Sequence, residues 1–527
     1  MPPTPPASVD TAPFAVLALA PLAGDDAPPR PSVTVTAENL DAVVAALEPT
    51  LALQVPAALN PQGVLGFSFA RMADFHPDTF GGDSGLAAEA ARAAAFVDQA
   101  LAAGTAAADI HAKLADWPGL NLALPAPQAA APQKPAAGGG SAADQLFAMV
   151  DAPGAADSDR AQALAWKDKV LARRREVLGL AFSDPGFRRM EAAWRGVEML
   201  ARRPAFGPGG RCTLAVAPAG ARRLDKCLNT LEVLMATESA SLVLLDAPLD
   251  ASQVGAGRMA RLAALGGRFV TPVAAWADTG FLHLRDWKDF DGLPGIPSLL
   301  DGPAYIPWRK LRTSADSAWF ALLMGRFLAR PQYGPGNPTD CGLTEAEPSW
   351  AAPVWALGAM AADAAQASGW AGAFTLGRGL DVHLPAGAGE ADSPTEYGFS
   401  DRRAVQLAEA GLLPLLGVKR EARAIAPRAG TVGGAPLNYA LFLNLVTRHV
   451  YHLRGRLNHH STREETERQI NASFTTLWPP LGPLAPQTFQ ATLGQGQPGG
   501  LLPLKIELVP SPLVLPGGPK ISLDFEW

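Results

Sequence analysis

Between residues 185 and 202 the apolar side chains Phe187, Met190, Trp194, Val197 and Leu200 recur at three- and four-residue spacings. One such stripe marks a helix with a single buried face. Asp184 stands where a cap is needed and Pro185 fits the first turn. Further helices are expected over 36–49, opened by Thr36, and over 84–104, 158–181, 219–236, 253–265, 314–330 and 351–369. Residues 437–474 read as one long helix or two. Short apolar runs predict strands: FAVLALA (14–20), GVLGFSFA (63–70), RCTLAVAP (211–218), ASLVLLDAP (240–248) and GRFVTPVAAW (267–276). From residue 501 the pattern is extended. LPLKIELV (502–509) alternates, and KISLDFEW (520–527) alternates strictly. Ile521, Leu523, Phe525 and Trp527 share one side of that last strand, and Lys520, Ser522, Asp524 and Glu526 the other.

Strands alternating with helices give an α/β fold of mixed α+β character. The stretch LPAPQAAAPQKPAAGGGSAAD (124–144) has almost no large apolar residue and reads as a linker. It separates a small N-terminal α/β module (1–123) from a larger α/β module (145–527) that ends in extended strands over 501–527. A strand at a chain end either closes a hairpin on its own domain or is donated to a neighbour's sheet.

Composition narrows the chemistry. The chain has 527 residues, 48% hydrophobic, and a net charge of -6, which argues against a nucleic-acid surface despite Arg188, Arg189 and Arg195. The apolar run at 14–21 is too short to span a bilayer and has no basic flank. Cys212, Cys227 and Cys341 are far apart and form no CxxC pattern, which suits a reducing, cytoplasmic compartment and no disulfide framework. His449 and His452, followed by His459 and His460, lack the HExxH spacing of a metal helix. GRGLD (377–381) and GGRF (266–269) are not phosphate-binding loops, and no serine sits in a GxSxG elbow. The expectation is a protein with no catalytic site, cofactor or metal.

DPGFRRMEAAWRGVEML (184–200) resembles a signature of the large sheath subunit of type VI secretion systems (TssC, also VipB), with Phe187, Met190, Glu191, Trp194, Arg195, Gly196 and Val197 in the motif positions. WRKLRTSADSAWFALLMGRFLARPQYG (308–334) resembles a second, through Trp308, Arg312, Asp316, Ser317, Leu322, Arg326, Leu328, Arg330, Tyr333 and Gly334. SGW (368–370), HLP (383–385), residues 393–419 and residues 437–455 follow in the family's order, so the resemblance runs over 145–527. The motif's proline before Arg326 is Gly325 here, and a histidine–tyrosine pair is reversed as Tyr451–His452. Residues 33–55 and 65–80 resemble the small sheath subunit (TssB, also VipA), with Phe67, Ser68, Asp74, Phe75 and Pro77 in place.

The resemblance implies the two subunits fused in one chain. It implies a structural subunit that polymerises helically around an inner tube and contracts to drive secretion. The implied partners are further copies of the chain, an Hcp-like tube protein, baseplate proteins and a ClpV-like AAA+ disassembly ATPase, with ATPase contact expected around 143–160. It implies no nucleic acid and no membrane insertion. Trp194 and Phe187 are expected in the core, and Glu191 is expected to pair with Arg195 one turn on. Ile521, Leu523, Phe525 and Trp527 are expected on an inter-subunit strand. Two alternatives stand beside this: a non-contractile sheath-like baseplate or cap component, and an enzyme on an α/β scaffold.

Overall fold

The computed structural model describes residues 12–83, 85–117, 120, 124–126, 155–375, 379–381, 393–418, 421–457, 462–495 and 501–527. Most of the expected linker, HLP (383–385), His459 and His460 lie outside the described residues.

The fold is mixed α/β. Along the chain run β1 (Phe14–Ala20), β2 (Val33–Val35), α1 (Leu40–Leu47), β3 (Thr50–Gln54), β4 (Val64–Ser68), α2 (Leu86–Ala102), α3 (Ala107–Leu114), α4 (Ala155–Ser183) and α5 (Pro185–Ala201). Then come β5 (Cys212–Pro218), α6 (Leu224–Thr237), β6 (Leu242–Pro248), α7 (Gln253–Phe269), β7 (Val273–Ala277), α8 (Ile296–Leu300), α9 (Ile306–Arg312), β8 (Phe320–Met324), β9 (Phe327–Arg330), β10 (Ser349–Ala351) and α10 (Pro353–Ser368). The remainder is β11 (Leu380–Asp381), α11 (Asp401–Glu409), β12 (Leu412–Pro414), β13 (Leu416–Val418), β14 (Arg423–Ile425), α12 (Leu437–Arg454), α13 (Arg463–Leu477), β15 (Thr488–Leu493), β16 (Pro503–Val509) and β17 (Ile521–Glu526). Residues 437–474 are therefore two helices.

Two compact units share the chain. One holds Met1–Val43, Arg189–Pro331 and Pro348–Trp527; the other holds Val44–Arg188 and Gln332–Glu347. The first is built on a seven-stranded sheet in the order β12-β8-β7-β6-β1-β5-β2. All neighbours are parallel except β2, which runs antiparallel to β5 at the edge. β7 and β8 are buried at every residue, and β6 at all but its last. Continuous apolar runs of this kind suit parallel strands covered on both faces. α10 is apolar nearly all round and is buried accordingly.

β1 sits inside this sheet, with Phe14 opposite Cys212 on one side and Val16 opposite Leu242 on the other. The compact units divide at Val43/Val44 and Arg188/Arg189, within the two expected modules, and the expected linker at 124–144 falls inside the second unit's span. FAVLALA is apolar on both faces, and only the interior of a sheet buries both. The second unit is mixed in the same way. Its long helix α4 packs on α2 and α3, and Arg173 of α4 donates to the carbonyls of Leu59 and Leu120. Its loop 332–347 is held by Asp78, whose carboxylate accepts the main-chain N–H groups of Asp340 (3.0 Å) and Cys341 (2.9 Å).

The helix expected over 314–330 is not formed. Residues 315–319 make a short 3-10 turn, followed by β8 and β9. FALLM is five apolar residues in a row, which fits a buried strand as well as a helix, and periodicity does not separate the two. Gly325 then turns the chain at φ +89, a conformation that favours glycine. A Cβ there would lie 3.1 Å from the Leu415 carbonyl, which accounts physically for glycine at the motif's proline position. Thr36 does not open α1 directly. It closes a turn with Asn39, and the helix starts at Leu40.

Candidate functional site

α5 begins as its sequence dictates: the Asp184 carboxylate accepts the N–H of Phe187 at 2.8 Å, and Pro185 opens the helix. Phe187 belongs to the second unit, where it joins a cluster with Phe69, Phe75, Phe80 and Phe182. From Arg189 onward α5 belongs to the first unit. There Trp194 is fully buried, and its indole N–H donates to the Leu22 carbonyl at 2.9 Å. Gly196 faces Trp355 of α10, and a Cβ on it would fall 2.5 Å from that ring. The glycine of the Trp-Arg-Gly triplet is thus required by close packing of two helices, not by a turn.

The same two helices, α5 and α10, each contribute to a buried polar cluster, α5 through Glu191 and α10 through Trp355. Glu191, 1% exposed, is gripped by Arg330 through Nε to Oε1 (2.6 Å) and Nη2 to Oε2 (3.1 Å). The Ser349 hydroxyl donates to Oε2 as well, at 3.2 Å. This bidentate pair joins the two sequence signatures across 139 residues. The expected local partner of Glu191 is secondary. Arg195 Nε stands 3.7 Å away, and the Arg195 guanidinium turns to Glu198 at 3.3 Å. Arg330, brought from β9, reaches both carboxylate oxygens with two donors, whereas Arg195 on the same helix comes no nearer than 3.7 Å to one of them. In the second cluster, Asp246 of β6 accepts from the indoles of Trp276 (3.1 Å) and Trp355 (2.7 Å). Burial pushes its carboxyl up to about 6, against those two hydrogen bonds.

The remaining signature residues are dispersed. Trp308 is fully buried with its ring edge-on to Phe281. Arg312 donates to the carbonyls of Val432 (3.3 Å) and Glu409 (2.9 Å). Asp316 is exposed. Arg326 pairs with Glu396, which also accepts from the Trp287 indole. These contacts fasten loops and strands; they do not converge on a reacting centre. Sequence reasoning did not single out Asp246, Trp355 or Glu396. The one signal for Asp246 was an acid within the apolar run LVLLDAP.

At the chain end, β15, β16 and β17 form an antiparallel sheet with β16 in the middle. Ile521, Leu523, Phe525 and Trp527 are half-buried. Trp527 and Leu502 exchange main-chain hydrogen bonds at 2.7 and 2.9 Å. β17 pairs with β16 on one side and with no strand on the other among the described residues. Tyr451 lies against Phe525 and is 57% exposed.

His449 of α12 is buried, with Nε2 2.9 Å from the Ser473 hydroxyl and the ring edge-on to Phe474. Burial, helped by His452, pulls its pKa down to about 4. The folded state therefore favours neutral His449. That contribution is complete above the ordinary histidine value of about 6.5 and is lost as pH falls toward 4, an effect of about 3 kcal/mol. Asp246 works in the opposite sense over an overlapping range, because its raised value favours the folded state at low pH. Urea unfolding at pH 7, 5.5 and 4.5 is expected to show stability falling more steeply in the parent than in His449→Gln. Equal slopes would refute the assignment.

Among the described residues no three His, Cys, Asp or Glu side chains are grouped to hold a metal ion, and no helix is long and apolar enough to cross a membrane. Residues 237–431 match the family model described as EvpB/VC_A0108, tail sheath N-terminal domain (VipB). That span contains the 308–334 signature and starts beyond α5. The chain is also 30% identical over 179 residues to the type VI secretion system sheath protein TssC1 of Pseudomonas aeruginosa. That similarity covers 30% of this chain and 35% of the relative's length. Through its central region, then, the chain is similar to the large sheath subunit of type VI secretion systems.

Proposed function

We propose that the chain is a structural subunit of a contractile type VI secretion sheath, polymerising helically around an inner tube and acting in the cytoplasm. The observation that carries this reading is the match of residues 237–431 to a tail sheath domain. The buried signature residues support it in kind. They lock helices and strands into a rigid body, which a contracting lattice needs if work is to come from repacking subunits. Residues 1–123 serve as a fused small-subunit-like half, a reading supported by β1 lying between β5 and β6. The partners in this reading are further copies of the chain, an Hcp-like tube protein, baseplate proteins and a ClpV-like ATPase. Head-to-tail contacts that do not close on themselves give the filament.

The contact proposed between subunits is the C-terminal strand. A strand after the turn LVLPGGP is free to leave its own sheet, and the pairing of β17 on β16 can be offered equally to a neighbour's tail. Negative-stain microscopy of the purified chain tests the reading directly. Long hollow cylinders are expected; rings or monomers would replace it with a non-contractile baseplate or cap component. Deleting residues 519–527 is expected to leave a protein with unchanged circular dichroism that forms no cylinders. Cylinders from the truncated chain would refute strand donation, and unfolding would make β17 an ordinary strand of its own sheet.

A further inference from the structure

We propose that a pocket at the N-terminal ends of β1, β5 and β6 binds a small oxyanion, a phosphate or carboxylate group, between Arg448 and Arg211. Phe14, Arg211 and Ser241, at the starts of the three strands, line it, and α12 closes it with Asn444, Arg448 and His449. Its lining includes no Asp or Glu.

Arg448 is the central observation. Its Nη1 donates to the Pro13 carbonyl at 2.7 Å and to the Ser241 hydroxyl. Ser241 is itself fixed by the N–H of Ala15 at 3.1 Å. Arg448 Nε is buried without an acceptor among the described residues. No carboxylate among them pairs with the guanidinium, and burial, with no opposing charge, draws its pKa down to about 10. Arg448 is half-buried as a residue, and a guanidinium whose Nε is withdrawn from water without an acid partner is normally matched by an anion, because an uncompensated charge there is costly. Arg211 brings a second guanidinium to the exposed rim. Its main-chain N–H is held by Gln366 at 2.8 Å, and its side chain has no acid partner among the described residues. Trp370 and His449, both in the wall, each carry a buried ring nitrogen without a partner there. With Arg448 and Arg211 both in the lining, the matching ligand is an acceptor with two or more oxygens, the kind a planar guanidinium fork grips in bidentate fashion.

The test uses the full chain and inorganic phosphate at constant ionic strength, followed by calorimetric titration and thermal melting. Saturable binding and a rising melting temperature are expected. Arg211→Gln, at an exposed position, is expected to weaken binding about 10- to 100-fold, the usual loss for one charge-assisted contact. Arg448→Gln is expected to abolish it, and if that variant does not fold, the Arg211 variant decides alone. An equal melting shift with chloride, or an unchanged affinity in Arg211→Gln, would overturn the proposal. So would phosphate binding that appears only in Asp10→Asn. Asp10 lies outside the described residues, two positions before Ala12, and that outcome would mean the chain's own carboxylate fills the pocket.

Discussion

A chain beginning at residue 145 is expected to be insoluble or unfolded, and to become soluble when residues 1–123 are supplied as a separate chain. β1 supplies the strand between β5 and β6, so its removal leaves two facing rows of main-chain donors and acceptors unpaired inside a parallel sheet. Val16, Leu17 and Leu19 are each 1% exposed. At about 1.5–3 kcal/mol per side chain, their loss removes about 5–9 kcal/mol before any hydrogen bond is counted. A typical domain has about 5–15 kcal/mol in total. The second unit loses more, since α4 would no longer have α2 and α3 to pack on. Supplying 1–123 in trans restores every one of these contacts, because the sheet and the helix packing need no covalent link. The same argument makes the linker a tether: after proteolytic cutting between residues 130 and 140, both pieces are expected to elute together. Solubility assays of the two expressions, and gel filtration after cutting, measure this. A soluble, cooperatively melting 145–527 would refute the dependence, and free separation of the cut pieces would refute the fused-subunit reading.

Glu191→Leu is expected to cost about 3–5 kcal/mol, the range for stranding one member of a buried ion pair. The stranded partner is Arg330, 9% exposed, with its two donor atoms left facing an apolar side chain. The double variant Glu191→Leu with Arg330→Met is expected to recover most of that stability, because no buried charge is then left unmatched. The difference between the single and double variants is the informative quantity. Urea melts of the parent, both singles and the double give it directly. Additive costs would mean that the two side chains do not act as a pair.

Much of the local structure was legible in the chain. β1 and the start of α5 fall where the pattern places them, because an apolar run bounded by turn residues, and a capped, Pro-opened stripe, depend on neighbours in sequence. The segment 314–330 was not legible, since FALLM suits a buried strand or a buried helix and only its place beside β7 and β12 decides. The signature residues were recognisable, but their contacts were not. The sequence put Arg195 four residues from Glu191, which is all that helical geometry alone can offer, while Arg330 is 139 residues away.

By itself, then, the sequence determined many of the elements, though not those of 314–330, together with the buried stripe of α5 and the alternation of the last strand, all set by periodicities of a few residues. Tertiary structure alone decided which halves of the chain share a sheet, which arginine holds Glu191, why Gly196 has no side chain, and that Asp246 is held by two indoles. Those are long-range matters. They depend on which surfaces meet once the chain has closed on itself, and no local spacing encodes that meeting.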